Sequence, residues 1–173
     1  MPELPEVETL CRQLRSKIVS SRIAGISILD SRLQLPEHVK GQQVISVTRR
    51  GKWIVIGLDD GRRLEIHLRM TGRLLWQEKE AALPMHCRLV FDLYSHQVVI
   101  VDPRRFATLS LAGGGEGHDG AVDALASRCA ETLIAKGCKR RRPLKSFLMD
   151  QGIIRGIGNI YACEILYRAG LSP

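Results

Sequence analysis

Apolar residues recur at Val7, Leu10, Leu14 and Ile18, with Cys11 on the same face, which predicts an amphipathic helix over residues 5–19. Pro2 and Pro5 precede or open it, where a proline removes no intrahelical hydrogen bond. The helix should anchor the start of the chain. The period then changes from helical to alternating. Ile26 and Ile28 alternate, as do Leu64, Ile66 and Leu68, and then Cys87, Leu89, Phe91 and Leu93. Val98 to Val101 is a short run of the fully buried type, closed by Asp102-Pro103, and Asp60-Gly61 is a hairpin-turn signal. Short strands separated by turns predict a β-sandwich. The pattern changes again at Gly113-Gly114-Gly115-Glu116-Gly117, a linker composition. Beyond it, 121–135, 144–151 and 159–169 read as helices, with Gly152, Gly156 and Gly158 between the last two. The expected class is α+β: an N-terminal helix and antiparallel β-sandwich over 1–112, a linker over 113–120, and a helical domain over 121–173. Two or three helices rarely enclose a full core, so the last domain is expected to be partial.

Composition narrows the setting. The chain has 173 residues, 45% of them hydrophobic, as in an ordinary globular protein. Lys and Arg number 26 against 18 Asp and Glu, a net charge of +8 that suits a polyanionic partner and equally serves solubility. The five cysteines, at 11, 87, 129, 138 and 163, form no C-x-x-C pair and are odd in number. That argues against a disulfide framework and offers no zinc site. Charged residues crowd the first twenty positions, so neither a signal peptide nor a membrane span is expected, and the expected setting is the cytoplasm.

Against that background several residues carry chemistry. With Met1 removed, Pro2 presents a secondary amine with a pKa of about 7.7–8.0, partly neutral near pH 7. Such an amine can attack the anomeric carbon of a deoxyribose and form an iminium ion, and Glu3 could protonate the ring oxygen. Taken alone, the pair reads more readily as a common second residue followed by surface charge. Lys52 follows Gly51 in a tight turn, placed to pair with phosphate or donate a proton, or simply solvated. Met70, between His67 and Gly72, is an exposed wedge or a core residue. Arg104, Arg105 and Phe106 follow a strand, where arginines meet bases or phosphates and a phenylalanine wedges between bases. Asn159 could cap the helix after it, whose free N–H groups favour an anion.

Taken in order, these segments resemble the formamidopyrimidine-DNA glycosylase family. Met1-Pro2-Glu3-Leu4-Pro5-Glu6-Val7-Glu8-Thr9 matches its N-terminal signature, and further matches lie at Arg49–Trp53, His67–Leu74, Asp102–Phe106 and Leu144–Gly170. The last resembles the family's helix–two-turn–helix motif. The resemblance implies Pro2 as nucleophile, Glu3 as proton donor and Lys52 as an aid to β-elimination. It places Glu6 at the active site. It implies Met70 as the filler of the void left by a flipped base and His67 near phosphate. Arg104 would contact the orphaned base, Arg105 a phosphate, and Phe106 would insert. His86, Arg140, Lys145 and Asn159 fall at further DNA-contacting positions.

The implied activity is excision of oxidised purines from duplex DNA by a monomer, followed by strand cutting through β,δ-elimination. An endonuclease VIII-like enzyme for oxidised pyrimidines and a non-catalytic DNA-binding module remain alternatives. Leu4, Met70 and the Arg104/Phe106 pair favour the purine branch. No redox cofactor or catalytic metal is implied, since the amine is the electron sink. The family continues past the helix–two-turn–helix into a base-capping loop and a four-cysteine zinc finger, whose ligands are not in this sequence. The family's hinge segment is not recognisable over 112–143.

Overall fold

The computed structural model describes residues 2–33, 39–113, 120–137 and 142–172. The chain folds as two compact units, the first comprising residues 1–2, 6–49 and 53–115, the second residues 3–5, 50–52 and 116–173.

In the first unit, helix α1 (Leu4–Ile18) buries the predicted stripe: Val7, Cys11, Leu14 and Ile18 are all at most 5% exposed. Each such side chain contributes about 1.5–3 kcal/mol by leaving water. Glu6 lies in the first turn and Arg15 and Lys17 in the last, matching the helix dipole. Glu8 receives Arg12 at 2.8 Å and Arg49 at 2.9 Å, and these guanidiniums, Arg12 foremost, hold its carboxyl below the usual 4.5.

The helix packs on two four-stranded sheets. One has the order β1 (Gly25–Ile28), β6 (Cys87–Asp92), β7 (His96–Val101), β5 (Arg73–Glu78). The other has the order β2 (Val44–Arg50), β3 (Trp53–Leu58), β4 (Arg63–His67), β8 (Thr108–Ala112). The described pairings within both sheets are antiparallel. Ile54, Ile56, Leu64 and Ile66 from one sheet meet Leu89, Phe91, Val98 and Ile100 from the other in a core shared with α1. This is the expected α+β sandwich. Val98, Val99 and Ile100 are all buried, as their unbroken apolar run required.

One strand departs from simple alternation. Cys87 pairs with Val101 and Leu89 with Ile100, so Arg88 is the extra residue of a β-bulge. Regular alternation from Leu89 would turn Arg88 outward; instead it is 3% exposed.

In the second unit, β9 (Val122–Asp123) and β10 (Ile154–Arg155) form a short parallel pair. The helices are α2 (Cys129–Gly137), α3 (Leu144–Leu148) and α4 (Asn159–Arg168). Helix was expected from residue 121, but α2 begins only at Cys129. Val122 N–H donates to Ile153 O at 3.0 Å and Ala124 N–H to Arg155 O at 3.1 Å, committing this backbone to strand pairing. Asp123 then accepts Leu125 N–H at 3.0 Å, a turn that competes with helix. Likewise α3 stops short of residue 151, because the Asp150 carbonyl takes the N–H groups of Ile153 and Ile154, both at 2.9 Å. A small core of Ile154, Ile157 and Ala162 holds the unit together, with Val122, Leu133, Leu148 and Tyr161 against it. Residues 114–119, most of the expected linker, lie outside the described residues. Among the described residues no helix is long and apolar enough to cross a membrane.

Candidate active site

Glu3 is only 1% exposed, and its carboxylate is held by backbone. It accepts the N–H of Gly158 at 2.8 Å, of Ile160 at 2.9 Å and of Tyr161 at 3.2 Å. These are the N-cap residue and the second and third residues of α4. Glu3 therefore satisfies donors that a helix leaves unpaired at its start, and its charge sits at the positive end of the helix dipole. Asn159, expected as the cap, is instead the exposed first residue of the helix, and the N-cap is Gly158. The reason is steric. A Cβ on Gly158 would lie 2.5 Å from Glu3 Cδ and 2.7 Å from Lys52 Nζ.

Lys52 does occupy the turn between β2 and β3, but it is 9% exposed and not solvated. Burial pushes its amine below the usual 10.5, while the negative charge of Glu3 works the other way. The turn is fixed by Gly51, at φ +60°, where a Cβ would lie 3.0 Å from Arg155 Cβ. The Gly51 N–H donates to Asp123 Oδ2 at 3.4 Å. Leu4 N–H donates to Gly156 O at 3.1 Å, and Gly156, at φ +102°, has no room for a side chain beside Leu4. Gln151 brackets the same loop, donating to Ile157 O at 2.7 Å and accepting Gly156 N–H at 3.0 Å. The glycines before α4 are thus explained by close approach of residues 3–5 and 50–52. Pro2, adjacent to Glu3 in sequence, is half-buried, and Glu6 is exposed.

Lys145 is half-buried in α3. Arg140 lies outside the described residues. Its neighbour in the basic run, Arg142, is paired with Asp150 at 2.8 Å.

In the first unit, His67 ends β4, is 9% exposed and stands edge-on to Trp53 at 4.8 Å between ring centroids. Its Nδ1 accepts the Arg69 N–H at 3.0 Å, which places the proton of the neutral ring on Nε2. Arg69 sits at φ +55°, and Gly72 N–H closes the turn on Leu68 O at 3.0 Å. This turn presents Met70, 46% exposed.

Phe106 is 45% exposed, and the Arg104 guanidinium lies over its ring at 4.8 Å. Thr71 hydroxyl donates to Asp102, joining the Met70 turn to the 102–107 loop. His86, exposed and at φ +63°, offers its carbonyl to Asp102 N–H at 3.0 Å.

Arg105, expected at phosphate, donates from both Nε and Nη2 to Asp30. Asp30, Arg88 and Asp102 were not singled out by sequence reasoning. Asp102 entered only through its turn signal with Pro103 and as the first residue of the Asp102–Phe106 match.

Among the described residues no group of three or more His, Cys, Asp or Glu stands together as a metal site. The zinc that accompanies the family resemblance thus finds no ligand set among them.

The chain is similar to known proteins in sequence and fold. Residues 1–109 match a family profile described as the formamidopyrimidine-DNA glycosylase N-terminal domain, and residues 121–173 match its H2TH domain. The chain is 36% identical over its whole length to the formamidopyrimidine-DNA glycosylase of Carboxydothermus hydrogenoformans, of which it spans 67%. It is 39% identical to that of Chloroflexus aggregans, of which it spans 68%. A solved structure of Lactococcus lactis Fpg (MutM) with DNA containing N7-benzyl-Fapy-dG superposes with a TM-score of 0.90 at 27% identity, covering 99% of this chain and 69% of that one. One of MutM with DNA containing carbocyclic 8-oxo-G gives 0.90 at 27% identity, covering 99% and 70%. The L. lactis enzyme with DNA containing an abasic site gives 0.88, covering 99% and 68%. The chain belongs to the formamidopyrimidine-DNA glycosylase family of DNA repair glycosylases.

Proposed function

We propose that this chain binds duplex DNA and excises oxidised purines such as 8-oxoguanine and formamidopyrimidines, with the Pro2 amine as nucleophile. The observation that carries the reading is the burial of Glu3 on the N-terminus of α4, next in sequence to Pro2. A carboxyl group in that setting is fixed in place before substrate arrives. The DNA complexes of similar proteins support the choice of substrate.

The steps follow from the groups at hand. The neutral Pro2 nitrogen forms a bond to C1′ of the damaged nucleotide, and the base departs with the electrons of its glycosidic bond. Glu3 takes the proton that the Pro2 nitrogen sheds and delivers it to the ring oxygen, which opens the sugar and leaves an iminium ion on Pro2. The iminium draws electrons from C2′, a proton leaves that carbon, and the 3′ phosphate departs in β-elimination. A second loss of a proton expels the 5′ phosphate, and water releases Pro2 from the remaining fragment. Lys52, low in solvent and near the charge of Glu3, assists the eliminations by donating a proton. Met70 and the Arg104–Phe106 pair, exposed on joined loops, enter the duplex where the base has left.

The test is borohydride trapping on duplexes carrying an abasic site or 8-oxoguanine. The protein must be shown by mass spectrometry to lack Met1. The expected result is a stable covalent adduct through residue 2, abolished when the amine is blocked. Absence of adduct on both duplexes overturns the proposal.

A further inference from the structure

The buried charges of the first unit converge on one loop. Arg88, set inward by the β-bulge, donates from Nε to Asp30 Oδ2 at 2.5 Å and from Nη1 to Asp102 Oδ2 at 3.3 Å and Ala107 O at 3.0 Å. Asp102, fully buried, accepts the N–H groups of Phe106 and Ala107, both at 2.7 Å, and of Arg104 at 3.3 Å. The Arg105 N–H closes the turn on Asp102 O at 3.2 Å. The backbone of residues 104–107 is therefore tied to Asp102, and Asp102 to Arg88. Asp30, 5% exposed, completes the chain of contacts by receiving Arg88 on one side and two nitrogens of Arg105 on the other.

Two carboxylates and two guanidiniums balance in charge, but taking Asp30, Arg88 and Asp102 from water is costly compared with an apolar filling. What they supply in return is direction. Arg105 is held at φ +60°, a conformation uncommon for a residue with a side chain. Its two-bond grip on Asp30 gives that side chain a partner separate from the pair formed by Arg104 and Phe106.

We infer that Asp30 and Arg88 are positioning residues for the DNA-reading loop, and that Arg105 is the pin joining that loop to Asp30 and not a phosphate ligand. The inference rests on the proposed function, in which Arg104 and Phe106 enter the duplex.

The experiment compares binding and excision on four lesion duplexes that differ only in the base opposite the lesion, over a series of salt concentrations. R105Q is the first variant, because a half-exposed side chain can be changed without unfolding the core. D30N and R88M follow, with thermal unfolding as a check. Each variant is expected to lose tenfold or more of the discrimination between opposing bases. The slope of log affinity against log salt in R105Q is expected to match the original protein. Loss of a phosphate contact would instead reduce that slope by about 0.9. R105K, which keeps the charge but not the two-bond fork, should follow R105Q. A reduced slope in R105Q with discrimination intact, or an R105K variant indistinguishable from the original, overturns the inference. Should the original protein itself neither bind nor excise, the parent reading fails, a result visible before any variant is made.

Discussion

Glu3 and Ile160 lie 157 residues apart in sequence and share a hydrogen bond of 2.9 Å, the carboxylate accepting the backbone N–H in the first turn of α4. Removing the carboxylate in E3A leaves the N–H groups of Gly158, Ile160 and Tyr161 without that acceptor. Loss of a helix cap costs about 0.5–2 kcal/mol. Amide hydrogen exchange at these three positions should accelerate by roughly 2- to 30-fold, with strand amides of β7 unaffected. Unchanged protection at all three would show that the cap lies elsewhere.

Gly158 is expected to tolerate no side chain. In G158A the new Cβ would displace Glu3 or Lys52, each less than 3 Å away. Overpacking of this kind costs about 1–3 kcal/mol. We expect that loss in denaturant unfolding and at least a tenfold fall in strand cleavage. G25A, at a position with nothing within 4 Å, is the control and should leave cleavage as it was.

Lys52 sets a pH dependence. Its amine is buried and loses its proton below the usual 10.5. If it donates a proton during elimination, the rate of cutting a preformed abasic site falls as pH rises through that lowered value. K52R, whose guanidinium keeps its proton, should move the alkaline limb upward in single-turnover measurements. Stability runs the opposite way. Between the lowered value and 10.5 the folded chain holds fewer protons than the unfolded one, so the contribution of Lys52 to stability rises with pH there.

Asp30 acts at the other end of the scale. The hydrogen bonds from Arg105, then those from Arg32 and Arg88, hold its carboxyl well below the usual 3.8 against the opposing effect of burial. Its stabilising contribution is present above 3.8 and is lost as pH falls toward the lowered folded value. D30N should therefore flatten the acid limb of stability, measured as the denaturant midpoint against pH. An acid limb identical in both proteins would remove Asp30 as its source.

Met70 and Phe106 are exposed at 46% and 45%, so little packing depends on them. M70A and F106A should change unfolding free energy by no more than about 0.5 kcal/mol, the range of ordinary surface changes. Excision from lesion duplexes should nevertheless fall several-fold, while trapping on a single-stranded abasic oligonucleotide stays intact. Equal losses on both substrates would mark these side chains as structural.

The pattern of this fold is local where it was legible. α1 followed from the spacing of Val7, Leu14 and Ile18, and β4 from the alternation of Leu64 and Ile66, because burial of one face imposes the period. Arg88 was not legible: alternation places it outside, and a single extra residue reverses that parity. Residues 121–128 looked helical from composition, but the strand partner that claims Val122 lies more than thirty residues on, at Ile154. In the candidate site, Glu3 and Lys52 could be named through family resemblance. Their burial could not, since the groups enclosing Glu3 include backbone N–H donors, which carry no sequence signature.

The cap on α4 also sets an order of events during synthesis. Gly158 follows Glu3 by 155 residues, so at about 5–20 residues per second its amide is made roughly 8–30 s after the glutamate. Throughout that interval the first residues have no helix end to bind. The enclosure of Glu3 is completed only once α4 has been made.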